Sequence, residues 1–97
     1  MTALKFPLGQ IAATPGALEA LEASGQTADF FLACHASGDW GEVDKEDWQL
    51  NDQALKDGSR ILSVYRTLKG KKIWIITEAV DDAGRRAATT ILLPEEY

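Results

Sequence analysis

Arg60-Ile61-Leu62-Ser63-Val64-Tyr65-Arg66-Thr67 and Lys72-Ile73-Trp74-Ile75-Ile76-Thr77-Glu78 decide the fold, because at Arg60 the apolar period changes from helical to twofold. Both runs are rich in β-branched and aromatic residues, which suit a pleated, half-buried surface. Lys69-Gly70 between them predicts a tight hairpin turn. A turn there opposes Tyr65 with Trp74 and Ile61 with Glu78, placing Ser63, Tyr65, Trp74 and Glu78 on one face. Lys71 and Lys72 read as edge and turn charges that discourage aggregation. Downstream, the loop Asp81–Arg86 leads into Ala88-Thr89-Thr90-Ile91-Leu92-Leu93, which Pro94 ends before the tail Glu95-Glu96-Tyr97. Short connections between these strands predict an antiparallel meander.

Upstream of the strands the pattern is helical. Thr14-Pro15 reads as an N-cap followed by proline at the first helical position, Ala17, Leu18, Ala20 and Leu21 form an apolar face, and Gly25 stops the helix. This predicts a helix over 15–24. Thr27 caps a second helix whose Phe30, Phe31 and Cys34 point inward, ending at Gly38. Asp44, with Asp47 three residues on, caps a third, carrying Trp48, Leu50 or Asn51, and Leu55, and closed by Lys56-Asp57-Gly58-Ser59. Residues 4–13 begin in strand-like alternation, but Pro7 and Gly9 restrict them to an edge. The expected architecture is one α+β domain spanning 1–97, in the order β-α-α-α-β-β-β, with helices on one face of an antiparallel sheet.

Composition sets further bounds. Ninety-seven residues suit a single core. No apolar run reaches the length of a membrane span, and no export signal precedes the first helix, so no membrane partner is expected. A single cysteine, Cys34, excludes an internal disulfide and a thiolate zinc cluster, and points to the reducing cytoplasm. Charge is uneven: residues 1–38 carry one base against three acids, 39–57 two against seven, and 58–97 seven against five. The net −5 weighs against broad nucleic-acid binding, while the last segment retains the cations for a local basic surface.

Chemistry concentrates in the stretch from His35 to Asn51. His35 follows Phe31 by one turn near the end of the second helix, where the dipole favours a protonated imidazole; the structural reading is a boundary histidine that packs on Phe31 or caps carbonyls. His35, Asp39, Glu42 and Asp44 lie close in sequence, yet match neither an EF-hand loop nor paired zinc ligands, so no metal is expected. Cys34 and His35 are adjacent in a helix and diverge, which rules out a thiol–imidazole pair. No glycine belongs to a phosphate loop, and no cofactor is expected. His35, Glu42, Arg60, Tyr65, Arg66 and Glu78 have the residue types of a metal-independent nuclease, namely a base, an acid and cations for a phosphorane. Trp40 amid the acids of 39–57 reads either as a core plug or as an aromatic anchor for a basic partner protein of the host or plasmid. The candidate functional residues are therefore His35, Asp39, Trp40, Glu42, Tyr65 and Glu78, with no catalytic residue assigned.

Phe31-Leu32-x-x-His35-x-Ser37-Gly38-Asp39-Trp40-Gly41-Glu42, Asp47 with Asn51, Arg60-Ile61-Leu62-Ser63, Trp74-Ile75-Ile76-Thr77-Glu78 and Thr90-Ile91-Leu92-Leu93-Pro94-Glu95-Glu96-Tyr97 carry a family resemblance over nearly the whole chain. The sequence resembles small uncharacterised bacterial proteins carried on plasmids and other mobile elements, labelled "plasmid-related protein" or "type I restriction endonuclease subunit M". The second label conflicts with the residues: the chain has no cofactor-binding glycine loop after a parallel strand and no Asn/Asp-Pro-Pro-aromatic tetrapeptide, and it is too short for a doubly wound methyltransferase sheet. The family tends to read Thr-Glu-Ala-Asp-Arg-Ser before the last strand. Here Thr77-Glu78-Ala79-Val80 is followed by a longer loop, so Arg85 and Arg86 match only loosely. The resemblance implies a non-enzymatic accessory or interaction protein of a mobile element; the alternative is a small nucleic-acid-processing enzyme or toxin.

Overall fold

A computed structural model describes residues 4–97; residues 1–3 of the expected 1–97 domain lie outside the described residues. The element order is β1 (Gln10–Ala13), α1 (Pro15–Ser24), α2 (Ala28–Ala36), α3 (Lys45–Asp57), β2 (Ile61–Arg66), β3 (Lys72–Thr77), β4 (Ala88–Leu92) and a closing 3₁₀ turn over Pro94–Glu96. The sheet runs β1-β4-β3-β2. Strands β2, β3 and β4 form the expected antiparallel meander, but β1 joins β4 in parallel, with Gln10 beside Ala88 and Ala13 beside Ile91. The sheet is therefore mixed. Parallel pairing needs a long crossover, and the three helices and two strands between β1 and β4 supply it.

Helix signals in the sequence are met closely. Thr14 accepts from the Ala17 amide with Pro15 next in line, and α1 ends on left-handed Gly25. Asp44 accepts from the Asp47 amide, and α3 ends on left-handed Gly58. Thr27 occupies the N-cap conformation of α2 without a side-chain cap bond. The inward faces are rotated from those expected. Phe31, Leu32, His35 and Ala36 face the core from α2, while Phe30 is exposed and meets Phe31 edge-on. Leu18 and Leu50 are exposed as well, and Asn51 with Ala54 forms the buried face of α3. The first strand is shorter than 4–13: Phe6 leaves the strand path and enters the core.

The hairpin differs by one residue, with large consequences. Thr67 and Lys71 close the turn, leaving a three-residue loop that ends on Gly70 at φ 82°. A left-handed glycine at that point makes a three-residue connection the natural one. Tyr65 accordingly pairs with Ile73, Ser63 with Ile75 and Ile61 with Thr77. A slip of one residue exchanges the two faces of a strand. Trp74 and Glu78 thus lie on the side opposite Ser63 and Tyr65, correcting the expected common face.

All three helices cover one face of the sheet. Ala17, Leu21, Phe31 and Leu32 pack on Tyr65, Ile73, Ile75 and Ile91, while Phe6, Trp40, Ala54 and Ile61 form a second cluster flanked by Val43, Trp48 and Leu55. The outer edge of β2 is closed from two sides. The Asn51 amide donates Nδ2 to the Leu62 carbonyl at 2.7 Å, and its Oδ1 accepts from the Leu62 amide at 3.2 Å, imitating a neighbouring strand. One pleat further, Val64 donates to the Trp40 carbonyl and accepts from the Glu42 amide. Gly41 runs against Val64 in this bridge, where a Cβ would sit 2.0 Å from the Val64 carbonyl oxygen. Only glycine fits so close an approach.

Replacing Asn51 with Ala leaves the Leu62 amide and carbonyl unbonded beside a helix. The expected loss is about 1–3 kcal/mol in urea unfolding, with increased self-association through the bared β2 edge; Asn51→Asp, which keeps the acceptor but not the donor, should be only partly spared.

Candidate functional site

His35 is fully buried rather than at a boundary, and so are Ser63, Thr77 and Thr89. Its Nδ1 meets the Ser63 hydroxyl, its Nε2 lies 2.8 Å from Thr77 Oγ1, Thr77 Oγ1 lies 2.7 Å from Thr89 Oγ1, and Thr89 donates to the Leu8 carbonyl at 2.6 Å. The last bond fixes every proton in the chain. A carbonyl only accepts, so the Thr89 hydroxyl proton goes to Leu8; Thr89 then accepts from Thr77, and Thr77 accepts from His35 Nε2–H. Nδ1 is left as an acceptor for Ser63. Desolvation, with the positive Arg86 adding to it, lowers the imidazole pKa from 6.5 to about 4. The ring is therefore neutral at pH 7, the reverse of the protonated form the helix dipole favours, because burial outweighs half a unit of dipole charge. Phe6 and Trp40 close around it edge-on at 5.3 and 5.8 Å.

Trp40 is also fully buried, and its Nε1–H reaches Asp52 on α3 at 3.0 Å. It belongs to the core. Asp39 is exposed; its carboxylate accepts from the Gly41 amide and its carbonyl from the Tyr65 hydroxyl. Burial pushes the Tyr65 phenol well above its ordinary range, so it acts as a neutral donor. Glu42 is exposed and pairs with Arg66 at 2.9 Å. Glu78 is exposed past the end of β3 on the opposite face. The structure thus gathers His35, Trp40 and Tyr65 inside the core, Asp39 and Glu42 above them on the loop, and leaves Glu78 apart. Among the described residues His35 and Ser63 have no exposed surface, and they line neither of two surface clefts, one of which, of about 410 Å³, is lined by Gly16, Glu19, Ala20, Ala23, Lys69, Lys71 and Leu93. Among the described residues no group of three His, Cys, Asp or Glu side chains could hold a metal ion.

Besides Thr77 and Thr89, two further structural residues escaped sequence reasoning. Arg86 is buried; its Nη2 donates to the Ala54 carbonyl at 2.9 Å and its Nη1 to Ser59 and Glu78 carbonyls, while its guanidinium lies 5.7 Å from the Phe6 ring centre. It ties the C-terminal end of α3, where a cation suits the dipole, to the loop carbonyls of Ser59 and Glu78. Nothing in an Arg-Arg pair within a loop marks one member for burial. Asn51 was the other, and its signal was present, since a polar residue took the helix position where an apolar one was due.

The remaining unusual surface is the uncovered face of the sheet. Leu62 and Val64 of β2, Trp74 and Ile76 of β3, and Thr90 of β4 are half-buried there, on the side away from α1, α2 and α3. Trp74 pairs with Leu92 across the strands and carries the Tyr97 ring at 5.6 Å and 62°. Arg60 donates Nη1 to the Tyr97 hydroxyl at 2.6 Å and lies 5.8 Å from its ring centre. A cleft of about 160 Å³ lined by Asp47, Leu50, Asn51, Arg60 and Leu62 continues this face around β2, with Leu50 largely exposed. No helix among the described residues is long and apolar enough to cross a membrane.

No protein-family model matches the chain, and neither a curated protein nor a solved structure was found similar to it.

An imidazole that is neutral in the fold but protonates freely once unfolded draws the equilibrium toward the unfolded chain as pH falls. His35 therefore stabilises fully above its unfolded value of 6.5, and that contribution is lost progressively down to about 4. Since the chain has one histidine, denaturant unfolding should show a loss of about 2 kcal/mol between pH 7 and 5, above the main carboxylate range. The same window in ¹H–¹³C NMR of the folded protein should show an imidazole that has not begun to titrate.

Proposed function

We propose that the chain is a non-enzymatic interaction module that binds a partner protein through the uncovered face of its sheet. The observation that carries this reading is the division of the sheet. One side is sealed by three helices, while the other sets Leu62, Val64, Trp74 and Ile76 side by side at partial exposure. Soluble domains rarely leave contiguous apolar area open without a use for it. An aromatic residue at the centre of such a patch supplies the kind of anchor on which interface energy concentrates. The family resemblance adds a setting, in which the module serves a plasmid or other mobile element as an accessory protein.

The sealed His35 supports the non-enzymatic half of this reading. A general base must reach the proton it removes, directly or through a water, and His35 spends both ring nitrogens on core hydroxyls. The nuclease alternative loses its best base. Glu42 is engaged by Arg66 at the Lys72 end of the β2–β3 pair, whereas Glu78 follows Thr77 at the opposite, Ile61 end, so acid and base candidates do not converge. A basic partner recruited by Trp40 is disfavoured as well, because the anchor it needs is inside the core.

A photo-crosslinker placed at Ile76 should yield a discrete adduct with another protein in host cells, and Val64→Lys should suppress it without lowering the melting temperature by more than a few degrees. The same probe at Gln53, exposed on α3, should yield none. Equal adducts from both positions, or adducts of the chain with itself alone, would overturn the reading. Purified protein should leave single-stranded RNA and DNA intact across pH and divalent metals; cleavage that vanishes in a folded His35→Gln variant would favour the nuclease.

A further inference from the structure

Gly16 stands in the first turn of α1 although nothing in its backbone asks for glycine: its φ is not positive, and alanine is ordinarily the better residue inside a helix. What the missing side chain makes room for is Glu96. A Cβ on Gly16 would sit 2.6 Å from Glu96 Oε2 and 2.9 Å from its Cδ. The carboxylate rests in that notch, where Oε1 accepts from the Thr14 hydroxyl and from the Leu93 amide at 2.8 Å. The Thr14 hydroxyl first, then the Leu93 and Gly16 amides and the positive Lys71, hold the Glu96 pKa below its ordinary value. The group is therefore charged at pH 7 and faces the positive end of the helix dipole.

This notch lies on the helix side of the sheet, while the residue that follows Glu96 lies on the other side. Leu93 still packs in the core with Ala17 and Leu21 of α1, whereas the Tyr97 ring meets Trp74 edge-on at 5.6 Å and its hydroxyl accepts from Arg60 Nη1. Residues 94–97 thus pass around the end of β4 as a strap, seated at Glu96 and carrying Tyr97 onto the uncovered face. The other fastenings are slight. Glu95 and Lys71 form an exposed ion pair, and an exposed aromatic edge contact with a cation nearby adds little by itself. Tyr97 nevertheless remains 69% exposed. A ring that served to mask Trp74 would bury more of itself. This one is held still with most of its surface offered, the way an interface anchor is presented at low entropic cost.

We propose that the segment Pro94–Tyr97 is a strap that fixes Tyr97 as a second aromatic contact beside Trp74 on the uncovered face, and that Glu96, seated in the Gly16 notch, is the residue that positions it. The use of Tyr97 rests on the interaction-module reading. The strap adds two positions, Gly16 and Glu96, that lie outside the face yet govern what it presents.

NMR of the full chain and the Ile76 crosslinker test this together. In the unaltered chain, nuclear Overhauser contacts should join the Tyr97 ring to the Trp74 indole. Glu96→Ala empties the notch and Gly16→Ala fills it with a methyl group; each should abolish those contacts while the Trp40 indole resonance, which reports the core, stays in place. In host cells both variants should lower the Ile76 adduct by about threefold or more, as Tyr97→Ala should. Combining Gly16→Ala with Glu96→Asp, whose carboxylate is one methylene shorter, should restore contacts and adduct in part, a rescue that a general loss of stability would not give. The strap is overturned if Tyr97 keeps its Trp74 contacts in both folded single variants. The role of Tyr97 is overturned if variants that lose those contacts give as much adduct or more, which would make the ring a cover. An adduct missing already from the unaltered chain sinks the interaction-module reading and the use of Tyr97 with it, whereas the strap itself is still decided by the NMR contacts.

Discussion

Two nitrogens of one buried imidazole dictate much of this fold. Sealed from water, each must find a partner, since an unpaired polar atom in the core costs more than a bond gains. The partners are Ser63 on β2 and Thr77 on β3; Thr77 passes the requirement to Thr89 on β4, and Thr89 passes it to the Leu8 carbonyl ahead of β1. One line of hydrogen bonds therefore pins α2 to three strands and to the chain entering the fourth. Each member has one way to place its proton, so a shift in strand register would break the line at once. Apolar neighbours such as Ile73, Ile75 and Ile91 supply burial energy but tolerate sliding; the hydroxyls do not.

The same requirement explains which parts of the structure were legible in the sequence. Helix limits at Thr14-Pro15, Gly25, Asp44 and Gly58 are written in single residues whose local chemistry acts over one turn, and they were readable. Strand identity was equally plain in Ile61–Tyr65 and Ile73–Thr77. Facing was not, because it hangs on whether two or three residues make the hairpin loop, and Lys69-Gly70 permits either. Ser63, Thr77 and Thr89, one on each of three strands, carry no local sign of their depth, yet they form the deepest layer, matched by the one histidine able to bridge it. Long-range partners of this kind leave no local trace, and the same holds for Arg86 and for the parallel pairing of β1.

The acidic stretch before and along α3 takes on a different meaning once the geometry is known. Asp44 caps the helix, Asp52 receives the Trp40 indole, Asp39 shapes the turn and Gly41 approaches Val64 more closely than any side chain would allow. Together with Asn51 these residues close the β2 edge. That stretch is rich in chemistry because covering a strand edge demands bonds to backbone groups at fixed positions, a task polar side chains and glycine perform better than apolar ones.

Edge closure in turn bears on where the protein can meet anything else. An open strand edge recruits any extended chain with little regard for sequence, since backbone bonds supply the affinity. Here β2 is closed, and β1 at the other side is four residues long, between Pro7 and Pro15. Association through edges is thus restricted, and what is left open is a face, where recognition runs through side chains. On that face apolar area from Leu62, Val64, Trp74 and Ile76 favours contact generally, and Arg60 and Lys72 bias it by charge.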